Sequence, residues 1–355
     1  MPVDGPLSNL RIFEVGHMLA GPYCGMLLAD LGAEVIKVEH PPAGDIARAI
    51  ATDQVAGQTV YFASLNRSKR SVALDLGDPD DRAAFDGLVA TDNGLVTNLR
   101  PSAICKLGLA YAELSAIGPR IACLALTGFG MEVRDAERPA YDYIAQARMG
   151  LMNLTGDPDT PPTKTGYSVV DNSSGIMGAF ALVSMIQSGR GGQVDVSLYD
   201  TMLSQMNYIA GAYLNSGTPP GRVASGGHPF LVPAQIFATA DGHVSIFISR
   251  FEHREEVLSA LSELFLSRPS RDRVVLLEPL DIVIAEVSAL QEALDGPLVT
   301  EREMVVTTPR DGVAFRLVGS PVKVAGWRPR YAVAPDLGAD NAALCAQSPG
   351  RGSNG

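Results

Sequence analysis

Asp171 is the residue whose neighbours in the sequence most favour chemistry. It follows the β-branched pair Val169 and Val170 and precedes an apolar pattern at residues 176–186 with the 3.6-residue period of an α-helix. Asp171 is therefore predicted at a helix N-terminus, where an aspartate can cap free backbone N–H groups. A second interpretation is a carboxylate nucleophile, kept ionised by the positive end of the helix dipole. Gly175 would then leave room for a large substrate, and the local pattern leaves both interpretations open.

Strands alternate with helices through the first half of the chain. Each strand is a short apolar run, and a turn and a helical pattern separate it from the next strand. This alternation predicts an α/β fold with a doubly wound, mostly parallel, Rossmann-like sheet, whose ligands bind at the carboxyl ends of the strands. The predicted strands are residues 10–15, 32–39, 72–76, 94–99, 120–126 and 194–199. The candidate site is formed by the turns at 16–21, at Asn98, at 127–130 and at Asp171.

A change in composition after residue 215 predicts a second, smaller unit. Glycine and serine are frequent at residues 222–229, and residues 235–248 have the pattern of a β-hairpin with Asp241-Gly242 in its turn. Further predicted elements are helices at 200–215, 255–265 and 281–294 and a returning strand at 319–324. The predicted organisation is a large domain of residues 1–215 and 319–355, an inserted small α+β domain of residues 228–305, and linkers at 216–227 and 306–318.

Composition and charge argue against several classes of protein. The formal net charge is −11 and the isoelectric point is about 4.9, which disfavours a nucleic-acid partner or a polybasic membrane-surface site. The chain shows no secretory signal and no uncharged apolar run of membrane-spanning length, so no membrane partner is expected. The four cysteines form no CxxC pair. They are expected to be free thiols of a cytoplasmic protein.

Two further patterns bear on ligands. Gly16 and Gly21 lie in the first predicted turn, but they form neither the G-x-G-x-x-G of a dinucleotide site nor a P-loop. No NAD or ATP site is therefore predicted. Arg67, Lys69 and Arg70 place three cations in one short turn. Such a cluster is usually a solvated turn, although in an acidic protein it can also hold an anion.

A series of short segments in a fixed order carries the strongest functional signal. The segments are residues 14–22, 31–39, 44–45, 66–71, 97–101, 107–109, 127–130, 141–146, 169–171, 189–193 and 241–242. In these segments and their spacing, the chain resembles the class III coenzyme A transferase family (the CaiB/BaiF type), which also contains the α-methylacyl-CoA racemases. The resemblance covers nearly the whole chain.

The resemblance implies covalent catalysis at Asp171. The matching aspartate of that family attacks an acyl-CoA thioester and forms an acyl–aspartyl anhydride, which the freed CoA converts to an aspartyl–CoA thioester. A second carboxylic acid then receives the CoA. The implied co-substrate is coenzyme A, with an acyl-CoA and a carboxylic acid as partners and with no metal, nicotinamide or flavin. An interlocked homodimer is implied as well.

The resemblance also implies which residues bind CoA. His40 stands where better-known members have arginine, so it would bind phosphate well only when protonated. Carried over by position, the CoA-binding residues are Met18, Leu19, Ala20, His40, Leu74, Asp75, Leu76, Gly77, Asn98, Leu99 and Lys106.

Departures from the family pattern keep other functions open. Tyr141 stands in the place of the racemases' proton-shuttle histidine, so CoA transfer is the preferred prediction and epimerisation the alternative. The glycine loop that covers the aspartate in some transferases corresponds to residues 225–229, with Gly226 and Gly227 as loop residues, and is shorter here. The C-terminal signature is reduced to residues 338–341. A third hypothesis is therefore a catalytically silent CoA-binding homologue.

Overall fold

The computed structural model of the protein describes residues 5–90, 93–250 and 254–345. The chain is divided into two compact units. The first comprises residues 1–145, 168–205 and 300–355, and the second comprises residues 146–167 and 206–299. Residues 346–355 of the predicted large-domain tail lie outside the described residues.

Short strands and helices alternate along the described chain. The strands are β1 (Arg11–Val15), β2 (Glu34–Glu39), β3 (Gln54–Val55), β4 (Gln58–Thr59), β5 (Arg70–Ala73), β6 (Gly94–Thr97), β7 (Ala122–Thr127), β8 (Gly192–Ser197), β9 (Val232–Ala238), β10 (His243–Arg250), β11 (Val283–Glu286), β12 (Val305–Arg310) and β13 (Val313–Val318). The α-helices are α1 (Ala20–Asp30), α2 (Val60–Asn66), α3 (Pro79–Val89), α4 (Pro101–Lys106), α5 (Tyr111–Leu114), α6 (Asp142–Arg148), α7 (Leu151–Leu154), α8 (Val169–Gln187), α9 (Leu198–Gln205), α10 (Asn207–Ser216), α11 (Arg254–Leu266), α12 (Ser270–Leu277), α13 (Leu290–Asp295), α14 (Pro297–Glu301) and α15 (Asn341–Cys345). Short 3₁₀ turns occur at Ile46–Ala49, Ala224–Gly226 and Glu278–Leu280.

Six strands of the first unit form one parallel sheet in the order β5-β2-β1-β6-β7-β8. Most of these strands are almost wholly buried, as parallel strands covered by helices on both faces must be. The strand order reverses between β1 and β6, which is the switch point where such a sheet binds its ligands. The predicted α/β class and mostly parallel sheet are confirmed. The antiparallel pairs β3-β4 and β12-β13 are additions to this sheet.

Alternate residues of each strand enter two different cores. Phe13 and Ile36 pack in one core with Phe85 of α3, together with residues of α4 and α5. Ile12 and Val35, one residue earlier in each strand, pack in the other core with residues of α1 and α8. The two-residue period of side-chain direction in a strand produces this division. The resulting helix layers support the turns at the carboxyl ends of the strands.

The C-terminal segment covers the outer edge of the sheet at β5. Asp340 Oδ2 accepts a hydrogen bond from Ser71 N at 2.9 Å. Asn341 bonds both backbone groups of Ala73, with Oδ1 accepting from N at 2.8 Å and Nδ2 donating to O at 3.1 Å. These side chains satisfy backbone groups that an edge strand would otherwise expose. The reduced signature at 338–341 therefore has a structural role.

Helix α8 is the longest helix of the described chain. It has 19 residues and a mean hydropathy of 1.4, so by length and composition alone it is apolar enough to cross a membrane. The helix contains Asp171, so the expectation that no uncharged apolar run reaches membrane-spanning length is not contradicted. The core helices of soluble proteins pass the same test, and α8 packs against α1 and β7. Its apolar character is therefore weak evidence about a membrane.

The second unit contains a three-stranded antiparallel sheet in the order β11-β10-β9. The hairpin predicted at residues 235–248 is confirmed by the pairing of β9 with β10. Thr239 Oγ1 accepts from Gly242 N at 3.1 Å and closes its turn. Phe237 and Val244 pack on one face of this sheet against Phe265 of α11, and the Phe237 and Phe265 ring centroids are 5.1 Å apart.

Two predicted elements of the second half have a different structure. The segment 281–294, predicted as one helix, contains strand β11 and all but the last residue of the short helix α13. Its β-branched residues Val283 and Ile284 pair with β10 instead, because a sheet partner is available. The helix predicted at residues 200–215 is divided into α9 and α10 on either side of Met206.

The segment between the second unit and the C-terminus is more regular than predicted. Residues 306–318, predicted as a linker, lie in the antiparallel pair β12-β13. Asp311 and Gly312 in its turn have φ values of 50° and 78°, as an Asp-Gly hairpin turn requires. The returning strand predicted at residues 319–324 is absent from the described structure. Pro321 lies in that segment and cannot donate to a strand ladder.

Candidate active site

Asp171 lies in the first turn of α8. The N-cap of this helix is Ser168, whose side chain makes no capping hydrogen bond. Val169 and Val170 are the first helical residues rather than the end of a strand. The predicted helix start near Asp171 is therefore confirmed, but its prediction as the N-cap is wrong.

Asp142, at the start of α6, supplies the cap that the sequence predicts from Asp171. Its Oδ1 accepts hydrogen bonds from Val170 N at 2.7 Å and from Asp171 N at 3.3 Å. Asp142 itself is buried. Since these N–H groups are satisfied by another element, the Asp171 side chain is not needed as a cap. Within the described chain, no hydrogen bond or ion pair involves the Asp171 carboxylate, which is only partly buried.

Burial and the neighbouring Asp142 charge raise the pKa of the Asp171 carboxyl to about 7. The direction of this shift is opposite to the one expected from the helix dipole, which favours the ionised carboxylate. Burial, with the charges of Asp171 and Asp45, also raises the pKa of Tyr61 in α2 to about 12. Such shifts are typical of functional sites, since they arise where charged groups are held together away from water. A carboxylate of this kind is suited to nucleophilic attack.

The turn after β1 is held by the side chains of Asn98 and Asp45. Asn98 Oδ1 accepts from His17 N at 3.0 Å and its Nδ2 donates to His17 O at 2.8 Å. Asp45 Oδ1 accepts from Met18 N at 3.0 Å, and Met18 has a left-handed φ of 64° that a non-glycine residue rarely adopts. A Cβ at Gly16 would lie 2.3 Å from Asn98 Oδ1, so this position requires glycine. The turn is therefore preorganised before any ligand binds.

Four buried charges lie beneath this turn. Lys37 Nζ lies 2.7 Å from Glu14 Oε1 and 2.9 Å from Asp45 Oδ2, although the second contact lacks hydrogen-bond geometry. Lys69 Nζ lies 2.6 Å from Glu14 Oε2. Burial lowers the pKa of Lys69 to about 8. Burial alone would also lower the pKa of Lys37, but the Glu14 and Asp45 carboxylates raise it overall. Two cations thus balance two anions, as buried charges require.

The three cations of the basic turn at 67–70 are bound to acidic side chains of the protein. Arg67 is paired with Asp30 at 2.5 Å, and both side chains are buried. Arg70 Nη1 lies 2.7 Å from Glu34 Oε1. With Lys69 bound to Glu14, all three cations have protein partners, so both interpretations of this turn are wrong. Over residues 5–90, 93–250 and 254–345, no group of three or more His, Cys, Asp or Glu side chains forms a metal site.

A cavity of about 200 Å³ opens at the carboxyl ends of β1 and β2. Four of the predicted CoA-binding residues line it, together with His17. These four residues are His40, Leu74, Leu76 and Leu99. His40 Nε2 lies 3.5 Å from Asp75 Oδ1, so a carboxylate accompanies this histidine at the rim. The cavity walls are mainly apolar with a few polar groups, as in many sites that bind small molecules.

A second cavity, of about 270 Å³, lies at the carboxyl ends of β6 and β7. Asn98, Leu99 and Tyr141 line it, and His17 and Leu99 belong to both cavities. Tyr141 is 57% exposed and precedes Asp142 in the chain. Tyr141, which lines the second cavity, is therefore the chain neighbour of the residue that caps α8.

The remaining predicted site residues are distributed differently. Neither cavity is lined by Met18, Leu19 or Ala20. The first two lie in the turn after β1, and Ala20 is the first residue of α1. Gly77 lies in an exposed turn, where its N–H donates to Asp75 Oδ1 at 2.9 Å. The other positions outside the two cavities are Asp75, beside His40, Lys106, exposed at the end of α4, and Gly226 and Gly227, in the second unit.

Sequence reasoning did not assign four residues of this region. His17 lines both cavities, Arg138 lines the second, Tyr61 is influenced by the Asp171 charge, and Asp142 caps α8. Asp142 had a usable signal, because it lies in the segment 141–146 that carries the family resemblance. No sequence signal pointed to Tyr61, since it lies outside every segment that carries the family resemblance.

Comparisons with known proteins identify the class of this fold and site. The model of CoA-transferase family III matches residues 7–251 and 247–341. The chain is 30% identical to succinate–glutarate CoA-transferase of Agrobacterium fabrum, over 96% of this chain and 95% of that protein. It is 32% identical to succinyl-CoA:mesaconate CoA-transferase of Haloarcula hispanica, over 92% of this chain and 91% of that protein. The crystal structure of a CaiB/BaiF family protein from Brucella suis is similar, with a TM-score of 0.85 and 28% sequence identity. The match covers 97% of this chain and 100% of that protein.

A preorganised turn thus lies at the switch point of the α/β sheet, and an unpaired carboxylate lies in the first turn of α8. The chain belongs to CoA-transferase family III and is a CoA-transferase by class.

The structure predicts separate effects for two substitutions of Asp142. Asp142→Asn keeps an oxygen that can accept from Val170 N but removes a negative charge, so the pKa of Asp171 should fall. Asp142→Ala removes the cap, and the free energy of unfolding should fall by about 0.5–2 kcal/mol. Carboxyl chemical shifts measured against pH and denaturant titrations test the two effects. An unchanged Asp171 titration in Asp142→Asn would contradict the assignment of its pKa shift to Asp142.

Proposed function

We propose that the protein moves coenzyme A between an acyl-CoA thioester and a carboxylic acid, with Asp171 as the nucleophile. The observation that carries this proposal is the unpaired, partly buried Asp171 carboxylate in the first turn of α8, freed from capping by Asp142. Two relatives are named for transfers among succinate, glutarate and mesaconate. Dicarboxylic acids are therefore the first candidate substrates.

The proposed reaction proceeds through anhydrides and a thioester on Asp171. An Asp171 oxygen attacks the thioester carbonyl, the C–S bond breaks, and CoA leaves as a thiolate. The thiolate attacks the aspartyl carbonyl of the anhydride and releases the first acid as a carboxylate. The acceptor carboxylate then attacks the aspartyl–CoA thioester, giving a second anhydride and free thiolate. Thiolate attack on the acyl carbonyl yields the new acyl-CoA and restores Asp171, with no oxidation or reduction.

The CoA substrate is proposed to bind along the carboxyl edge of the sheet. The apolar cavity beside His40, Leu74 and Leu76 suits the adenine end, because its walls offer surface for a ring and its rim offers polar groups. Asn98 and Leu99 lie between the two cavities and would flank the pantetheine arm. Lys106 remains a proposed phosphate contact on charge alone, since it is exposed and outside both cavities.

The surrounding assembly is also a proposal. We expect an interlocked homodimer in the cytoplasm, and Gly226 and Gly227 remain proposed loop residues. The apolar side chains Ile176 and Phe180 of α8 are 53% and 69% exposed in the single chain. Exposed apolar residues on one helix are consistent with a covering partner chain.

Chemical trapping tests this function. The protein is incubated with succinyl-CoA and hydroxylamine, digested and analysed by mass spectrometry, while a parallel reaction follows CoA transfer to glutarate. We expect transfer together with a hydroxamate at Asp171 only. Asp200, which also lies in the first turn of a helix, is the internal control and should remain unmodified.

Other outcomes of this experiment would overturn the proposal. Transfer without any modification of Asp171 would exclude it as the nucleophile. Solvent deuterium at the substrate α-carbon in place of transfer would identify a CoA-thioester isomerase. Binding of CoA without exchange against a broad panel of acids would identify a silent homologue.

A further inference from the structure

Ser174 carries a hydroxyl group that is buried without a hydrogen-bond partner. It lies in α8, its side chain is fully buried, and its Oγ makes no hydrogen bond within the described chain. Such a group destabilises the fold, because it has lost its bonds to water and has gained none in exchange. Buried polar groups without a partner are rare in folded proteins, so this one requires an explanation.

The other serines of α8 show that a partner within the protein is available to a serine of this helix. Ser184 Oγ donates to Phe180 O, four residues earlier, at 2.8 Å, which is a common arrangement for a serine inside a helix. Ser173 Oγ donates to Gln205 Oε1 at 3.2 Å. Within the described chain, Ser174 makes neither kind of bond, so its hydroxyl hydrogen remains available to another acceptor.

Asp171 is the reactive group that lies nearest to Ser174 along the helix. The two residues are three positions apart, and such side chains lie on one side of an α-helix with their Cβ atoms about 5–6 Å apart. The Cα–Cβ bonds of a helix also tilt toward its N-terminus, which is the direction from Ser174 to Asp171. Gly175 belongs to the same buried face, and a Cβ there would lie 3.0 Å from Ala20 O. Both side chains are therefore in the part of α8 that packs closely against the start of α1.

The proposed reaction twice places negative charge on an oxygen of Asp171 itself. The CoA thiolate attacks the aspartyl carbonyl of the anhydride, and later the acceptor carboxylate attacks the aspartyl–CoA thioester. In each attack the carbonyl π electrons move to the aspartyl oxygen, and they return when the leaving group is expelled. A hydrogen-bond donor beside that oxygen lowers the energy of the tetrahedral state. Because the oxygen belongs to the protein, its donor can be buried away from the substrate.

We propose that Ser174 is a catalytic residue whose hydroxyl donates a hydrogen bond to the Asp171 oxygen that becomes negative when the aspartyl carbonyl is attacked. This inference rests on the proposed function, in which Asp171 is the nucleophile. In the first and last steps of the reaction, the attacked carbonyl belongs to the substrate's acyl group, so the charge develops on the acyl oxygen. Ser174 therefore accelerates the two middle steps and leaves the first and last unchanged.

Ser174→Ala removes the donor and tests this role. With succinyl-CoA and glutarate as substrates, we expect kcat to fall by roughly 10- to 100-fold, because the negative oxygen has lost a hydrogen bond. Mass spectra of the quenched protein should show a larger share of covalent adducts on Asp171, because the steps that consume them are slowed. The midpoint of urea denaturation should stay the same or rise, because a buried hydroxyl without a partner is removed. Ser174→Cys keeps a weaker donor and should lie between the two proteins.

The matched control is Ser173→Ala, which removes the adjacent hydroxyl and its bond to Gln205 and should leave kcat unchanged. An unchanged kcat in Ser174→Ala would overturn the inference, while the proposed function would stand. A lower kcat with a lower denaturation midpoint and no additional adducts would show that Ser174 only supports packing, which would also overturn it. Absence of transfer in the unsubstituted protein would contradict the proposed function and this inference with it.

Discussion

Asp171→Ala is expected to lower kcat for CoA transfer by about 10³-fold or more, because it removes the group that forms both covalent intermediates. A tenfold loss corresponds to about 1.4 kcal/mol of activation free energy, so the expected loss exceeds about 4 kcal/mol. The measurement is steady-state transfer at saturating acyl-CoA. Asp171→Asn is the matched variant, since it keeps the size of the side chain and should be equally inactive. Turnover near that of the unsubstituted protein in either variant would contradict the role of Asp171.

The folded state should not depend on the Asp171 carboxylate. Its pKa is raised in the fold to about 7, so the unfolded chain ionises this group more readily. The group therefore opposes folding as the pH rises from about 4 to 7, and the full penalty is present above pH 7. Asp171→Ala should consequently be at least as stable as the unsubstituted protein at pH 8. The same shift predicts that the kcat/KM of the unsubstituted protein rises with pH through about 7, as the nucleophile ionises.

Lys37→Met is expected to lower the free energy of unfolding by about 3–5 kcal/mol, the largest stability effect predicted here. Its ammonium group lies between the buried carboxylates of Glu14 and Asp45, and its removal leaves an uncompensated negative charge. Domains commonly have only about 5–15 kcal/mol of stability. Urea denaturation at pH 7 measures the change.

A second variant separates the charge effect from simple loss of packing. Adding Glu14→Gln to Lys37→Met removes one anion and leaves Asp45 and Lys69 in balance, so part of the lost stability should return. Lys106→Met is the surface control and should change the free energy of unfolding by less than about 0.5 kcal/mol. A Lys37→Met protein within about 1 kcal/mol of the unsubstituted protein would contradict the structural role of the buried charges.

Local patterns determined the fold class and the approximate place of the candidate nucleophile. Runs such as Val35-Ile36-Lys37-Val38 identify a buried strand because β-branched residues suit a sheet covered on both faces. The helical period after Gly175 identifies α8, and the Asp241-Gly242 pair identifies a hairpin turn. In each case the property depends on residues close together in the chain, so the sequence alone suffices. The same reasoning failed for residues 281–294, where pairing with β10 overrides local preference.

Tertiary structure decided the chemical state of the polar side chains. Asp171 and Asp142 are both acidic residues near helix starts, yet only Asp142 caps α8, from 28 residues before Val170. Lys69 seemed available to an anion, but it binds Glu14, which lies 55 residues earlier. Whether a carboxylate is an attacker, a cap or a counter-ion depends on which distant donors and charges surround it once water is removed. Those neighbours are selected by the packing of the sheet and its helices, and no local pattern records them.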